Sequence, residues 1–212
     1  AQARVAELLR APLMADSAVE IAMLNNAGLQ ASLRDLGVAE ADLVDAGRIR
    51  NPVFSFFNVS SAESYKIERA ILFDVMSLLT MPRRIAIERA RFEQAQVQAA
   101  SEAVGLATEA RRAWAAAVAS QQLATYAEQV KDAADASSEL ARRMARAGNF
   151  SRLAQMREQT FYAEATAQLA RARHQATADR EKLIRVLGLW GASTQFKLPE
   201  RLPDLPKAPT EP

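Results

Sequence analysis

From Pro82 to Leu187 the chain contains no further proline, and only Gly105 and Gly148 interrupt the run. So long a stretch without breakers leaves room for one helical hairpin folded at the second glycine. About 65 residues before that turn would make a rod on the order of 100 Å, far longer than the helices of ordinary globular domains. Composition supports helices over a globular α/β core: half of the 212 residues are hydrophobic, yet aromatics are 6% and much of the rest is alanine. Alanine favours helix and lets helices approach closely while burying little area per residue.

The formal net charge is +2, with basic and acidic residues interspersed, so nucleic acid is not among the expected partners. The absence of cysteine excludes disulfides and thiolate metal sites. No stretch approaches the roughly 18 consecutive apolar residues of a membrane-spanning helix, a test that a β-barrel would pass unseen. Ala1-Gln2-Ala3-Arg4 lacks the apolar core of a signal peptide, so an export signal is expected to have been removed or never present.

Along the chain, Asp16 is placed to cap a short helix that Asn25-Asn26 ends. Leu29, Leu33, Leu36, Val38, Ala39, Leu43 and Ala46 then recur at mainly three- and four-residue spacing, predicting a helix from about Gly28 to Ala46 that Gly47 stops. From Asn51-Pro52 the residues become strand formers, Val-Phe-Ser-Phe-Phe-Asn-Val-Ser-Ser61. After a turn near Ser60-Ser61-Ala62-Glu63, apolar Tyr65, Ile67, Ile71 and Phe73 alternate with polar neighbours, with Arg69 interrupting the apolar face and Ala70 and Leu72 the polar one. Two strands of about ten residues make a hairpin, and ten tilted residues cross a bilayer; a water-soluble hairpin would show the same alternation. Arg69 would be expensive against lipid unless it snorkels near the interface.

Thr80 is read as the cap of the long helix, with Pro82 in its first turn. Val97, Ala100, Val104, Ala107, Trp114 and Val118 form one stripe. Ala99, Ala103, Leu106, Ala110, Ala113, Ala117, Ala124 and Ala127 form another beside it. Two stripes call for neighbours on two sides, as in a ring of helices. At the turn, Gly148 suits the left-handed conformation that ends one helix and Ser151 or Asn149 can cap the next, which runs to about Val186. The return helix also has two stripes, Leu153, Met156, Ala163, Ala167 and Ala170 on one and Phe161, Ala165, Leu169, Ala172, Ala176 and Leu183 on the other. Placed end to end, the return helix and the early helix would span roughly 85 Å, which predicts that two short helices stack to match one long one. The tail from Phe196 holds five of the eight prolines and reads as an extended linker.

The fold class expected is mainly α: a long antiparallel helical hairpin with stacked shorter helices plus a β-hairpin. Its divisions would be 1–50, an N-terminal segment with short helices; 51–75, the β-hairpin; 76–190, the long hairpin; and 191–212, the proline-rich linker. No Gly-rich phosphate loop, Ser-His-Asp set or HExxH is present, so an enzyme is not expected. His174, the only histidine, reads as a surface or interface residue. Glu128, Asp132, Asp135 and Glu139 read as solvated charge or as a subset facing a lumen. Arg142, Arg143 and Arg146 can add to a docking surface or offset the helix C-terminal dipole.

Several segments carry a family resemblance. Ala18-Val-Glu-Ile-Ala-Met-Leu-Asn-Asn26 with Leu29-Gln30-Ala31, Ala41-Asp42-Leu43-Val44-Asp45-Ala46-Gly47 with Asn51-Pro52, Leu72-Phe73-Asp74 with Pro82-Arg83-Arg84, the run Arg143–Ser151, and Leu187-Gly188 occur in order. Together they resemble one structural repeat of TolC-type outer-membrane efflux proteins. The resemblance implies two such repeats per protomer, so this chain would be the N-terminal half of a longer protein. It implies a homo-trimer when full length, with a twelve-strand barrel in outer-membrane lipid and a twelve-helix periplasmic tunnel. Such proteins have no catalytic residues and no cofactor; they are passive ducts joined by a periplasmic adaptor to an inner-membrane pump. The resemblance places adaptor docking at Arg146, Ala147, Gly148, Asn149, Phe150 and Ser151. It places the membrane strands at Phe54, Phe56, Tyr65, Ile67, Ile71 and Phe73. Exported solutes would be drugs, metal ions or other toxic compounds. The alternative function is a soluble alanine-rich helical scaffold or coiled-coil partner.

Overall fold

The computed structural model describes residues 2–61 and 64–204, and the side chains of these outside 59–66. In chain order the elements are α1 (Gln2–Leu8), α2 (Ala15–Asn25), α3 (Ala27–Ala46), β1 (Val53–Ser61), β2 (Ser64–Leu72), α4 (Val75–Arg146) and α5 (Arg152–Leu187), followed by a 3₁₀ turn, Gly191–Thr194. The chain divides into two compact units, residues 28–102 and residues 1–27 with 103–212. Helix α4 contributes to both.

The second of these units holds a core built on α2, α4 and α5. Leu13, Ile21, Val118, Leu183 and Leu187 are fully buried, and Ala110, Ala113 and Ala117 let neighbouring side chains close over α4. Trp114 lies in the same core and donates its indole N–H to the Leu13 carbonyl at 2.6 Å, so its polar edge is satisfied. The beginning of the expected linker belongs to this core. Phe196 and Leu198 are buried, Leu13 N–H donates to the Lys197 carbonyl at 2.8 Å, and Arg180 both covers the Phe196 ring at 4.4 Å and donates to its carbonyl at 2.6 Å. Leu202 also packs against this core, and residues 205–212 lie outside the described residues.

Three local expectations are corrected. Helix α2 starts at Ala15 with Met14 in the capping position and no side-chain cap; Asp16 is already inside the first turn and pairs with Arg111 at 3.0 Å. A tertiary cation has taken the carboxylate that local logic assigned to capping. Helix α4 starts at Val75, ahead of Thr80. Asp74 Oδ1 accepts the Ser77 N–H at 2.9 Å, which supplies the cap, and Thr80 donates instead to the Met76 carbonyl at 2.9 Å. Pro82 therefore sits about two turns inside the helix, where it removes one backbone donor. Helix α1, which no sequence signal marked, is held by the Arg4 pair with Glu20 at 2.7 Å and by buried Val5.

In the unit spanning 28–102, β1 and β2 form an antiparallel pair in which Phe54 lies opposite Ile71, Phe56 opposite Arg69, and Asn58 opposite Ile67. The even positions of β1 thus share a face with the odd positions of β2. Each strand has nine residues. Phe73 falls one residue past β2, in the turn into α4, where its carbonyl accepts from Val75 N–H. It is therefore not a strand residue. The expected turn residues Ala62 and Glu63 lie outside the described residues.

Candidate functional site

The hairpin tip is built by two caps. Gly148 N–H donates to Ala145 and Asn149 N–H to Met144, at 3.1 and 2.9 Å, with Gly148 at φ +78°. These are the paired bonds of a Schellman motif, and they satisfy carbonyls that the end of α4 would leave open. Ser151 then begins α5, its Oγ accepting from Ala154 N–H at 3.2 Å. Arg146, Ala147, Gly148, Asn149 and Ser151 are exposed, and Phe150 is half-buried. A β-carbon added to Gly148 would meet nothing within 4 Å, so the glycine answers to backbone conformation and not to packing within this chain. Just inside the tip, Arg143 and Arg142 reach Glu139 at 2.9 and 3.2 Å. The hydrogen bond from Arg143, aided by the charge of Arg142, holds the Glu139 carboxyl below the usual range. Both arginines are thus committed to a neighbour on their own helix.

Burial on the arms of α4 and α5 cuts across their stripes. On α5, Ala165, Leu169, Ala172 and Leu183 are buried, whereas Leu153 and Met156 are exposed, as is Phe161 at the head of the Ala165 stripe. On α4, Ala99, Ala110, Ala113 and Ala117 are buried together with Trp114 and Val118, while Val97 and Val104 are about 70% exposed. The stripe containing Val97 is consequently split, because its later members turn into the core. Polar contacts align the two arms: Ser137 donates to Glu158 at 2.6 Å, Arg173 pairs with Glu128 at 2.6 Å, and Lys131 lies 5.8 Å from the Tyr162 ring. Between the arms, Leu123, Tyr126, Val130, Gln168 and Arg171 line an open groove of about 380 Å³.

On the β-hairpin, Phe54, Phe56, Ile67 and Ile71 are all exposed, as is Phe73 beyond it. Tyr65 lies opposite Ser60 in register, and its side chain is outside those described. Arg69, the charge on the apolar face, has its guanidinium 5.5 Å from the Phe56 ring centroid. The cross-strand pairing thereby gives this cation an aromatic partner, a contact that β2 alone could not reveal. Among the described residues no group of three or more His, Cys, Asp and Glu could hold a metal ion, and no helix is long and apolar enough to cross a membrane. His174 is exposed.

CusC, an outer-membrane efflux channel of the TolC type, superposes on 90% of the chain with a TM-score of 0.73 at 14% identity. The chain has a TolC-type fold. A membrane protein from Pseudomonas aeruginosa shares it, with a TM-score of 0.69 at 16% identity over 82% of the chain. The chain spans less than half of either structure, 46% of CusC and 44% of the other. No protein-family model and no curated protein matched the sequence. At such identity it is the TolC-type backbone that is shared, and the roles of individual side chains must be argued from this chain.

Proposed function

We propose that the chain is one half of an outer-membrane efflux duct, a passive conduit exporting small toxic solutes such as drugs or metal ions. The reading rests on the TolC-type fold over nine-tenths of the chain. The exposed aromatic hairpin and the exposed apolar positions Val97, Val104, Leu153 and Met156 on the two arms fit that role. In the proposed assembly, β1 and β2 contribute two strands to a barrel in the outer membrane. Helices α3, α4 and α5 form part of a periplasmic tunnel wall, and Val97, Val104, Leu153 and Met156 meet helices supplied by the rest of a homo-trimer. The tip from Arg146 to Ser151 receives a periplasmic adaptor, which links the duct to an inner-membrane pump. The open space around Gly148 lets a partner approach the backbone there. No catalytic residue takes part, because transport energy is supplied by the pump.

The test is extraction and assembly of the full-length protein. It is expected to require detergent, to migrate as a trimer after cross-linking, and to give stepwise conductance in planar bilayers. A product that stays monomeric and water-soluble would overturn the duct and favour the helical scaffold.

A further inference from the structure

The segment that follows α5 presents an indole that the core does not use. Trp114 is buried and hydrogen-bonded, whereas Trp190 is 78% exposed and its N–H has no acceptor among the described residues. Trp190 directly precedes the turn Gly191–Thr194, and Gly191 takes φ +61° with open space around it. The residues after the turn are held, since Arg180 donates to the Thr194 and Phe196 carbonyls at 3.3 and 2.6 Å. The exposed ring therefore stands on an anchored segment. Beside it is a cleft of about 400 Å³ to which Val5, Ala6, Leu189 and Gly191 contribute apolar surface and Gln2 and Ser193 contribute polar groups.

An exposed aromatic face with hydrogen-bond donors beside it suits a polyproline II ligand. Proline rings stack on the aromatic side chain, and the helix has no internal hydrogen bonds, so its carbonyls are open to donors in the groove. The chain carries such a ligand. Pro203, Pro206, Pro209 and Pro212 recur at every third residue. Three residues make one turn of polyproline II, so this spacing predicts all four prolines on one face. Leu202, just ahead of the run, packs against the core that also contains Val5 of the cleft. From there residues 205–212 can extend about 25 Å, at roughly 3.1 Å per residue. A separate proline-rich partner would have to displace a ligand that its own tether holds at about millimolar effective concentration. We propose that residues 203–212 are an intramolecular ligand of the Trp190 cleft. Pro206 and Pro209 cover the indole face, and nearby carbonyls accept from Trp190 Nε1–H and from the Gln2 and Ser193 side chains. Docking fixes the direction in which the chain leaves this core.

The experiment is acrylamide quenching of Trp190 fluorescence, taken as the difference between each chain and its Trp190→Phe counterpart; Trp114 is buried and contributes little quenching of its own. Ending the 212-residue chain at Asp204 should shift the Trp190 emission to longer wavelength. It should also raise the quenching constant roughly twofold, as one of the two ring faces is returned to water. Pro206→Ala/Pro209→Ala should have the same effect at full length, and so reads the contact even if truncation disturbs folding. Lys207→Ala/Thr210→Ala, one residue off the proline face, should leave quenching as in wild type. Protection should also be independent of protein concentration, as an intramolecular contact requires. Equal quenching of the intact, truncated and proline-substituted chains would overturn the proposal. So would a loss of protection in the Lys207/Thr210 variant equal to that in the proline variant. Protection that disappears on dilution would assign the cleft to the proline run of a second copy and overturn the intramolecular contact.

Discussion

The Asn25 side-chain amide donates to the Gly188 carbonyl, and the Asn25 backbone carbonyl occupies the space that a β-carbon on Gly188 would need, 2.7 Å away. Gly188 closes α5 with a Schellman pair, its own N–H to Arg185 and Leu189 N–H to Ile184, at φ +64°. The neighbouring Asn26 amide donates to the Val186 carbonyl at 3.1 Å, so the asparagine pair that ends α2 also finishes the carbonyls of α5.

Gly188→Ala combines left-handed strain with a backbone clash and is expected to cost about 3 kcal/mol. Gly148→Ala, with the same kind of φ but open space around it, should cost about 1 kcal/mol. Urea unfolding followed by circular dichroism compares the two. Equal losses would mean that the approach of α2 to Gly188 does not constrain the fold.

The pH response follows from paired carboxylates. The hydrogen bond from Arg4 holds the Glu20 carboxyl below its ordinary value of 4.5, with the Arg4 charge adding to it, and Arg143 does the same for Glu139. A carboxyl lowered on folding stabilises the folded state above its unfolded value, and that contribution disappears as pH falls through the folded value. Glu20→Gln should therefore lower the melting temperature at pH 7 by a small amount, both groups being exposed. The difference between variant and wild type should shrink below about pH 4.5 and vanish in stronger acid. A difference that grows with acidification would contradict the pairing.

Val97→Glu/Val104→Glu places charge on positions that are exposed in the single chain. Helicity and melting temperature of that chain should change little, since surface substitutions of this kind stay within about 0.5 kcal/mol. Trimer formation by the full-length protein should fail, as read by cross-linking in detergent. A trimer that tolerates both glutamates would remove these positions from the proposed wall contacts.

Deletion of residues 51–74 should abolish vesicle association while the ellipticity at 222 nm per helical residue stays near that of wild type. The strands are paired with each other, and the α2–α4–α5 core draws nothing from them. Undiminished partition into vesicles would sink the assignment of β1 and β2 to lipid.

Where the sequence signal was local, it could be read directly. Gly148 followed by Asn149-Phe150-Ser151 specifies a left-handed stop and a hydroxyl cap within four residues, and both form as expected. Signals that depend on distant partners were hidden. Asp16 looks like a cap until Arg111 comes within 3.0 Å, and the tail looks unattached until Leu13 and Arg180 bind the backbone near Phe196. Asp74 and Thr80 both offer cap chemistry; the choice between them turns on where β2 stops pairing, which depends on β1 as much as on β2. The split stripe of α4 has the same origin. Val104 and Trp114 share a helical period, but only Trp114 meets the segment around Leu13.

Among the described residues the sheet has just two strands, so β1 and β2 each present one unpaired backbone edge. In water, such edges and the phenylalanines beside them template pairing with whatever strand arrives first. The outcome of making this chain in a cell or a test tube then becomes a race between capture by a bilayer and capture by identical copies. Dilution, early supply of detergent and slow synthesis should decide yield more strongly than any change to the helices.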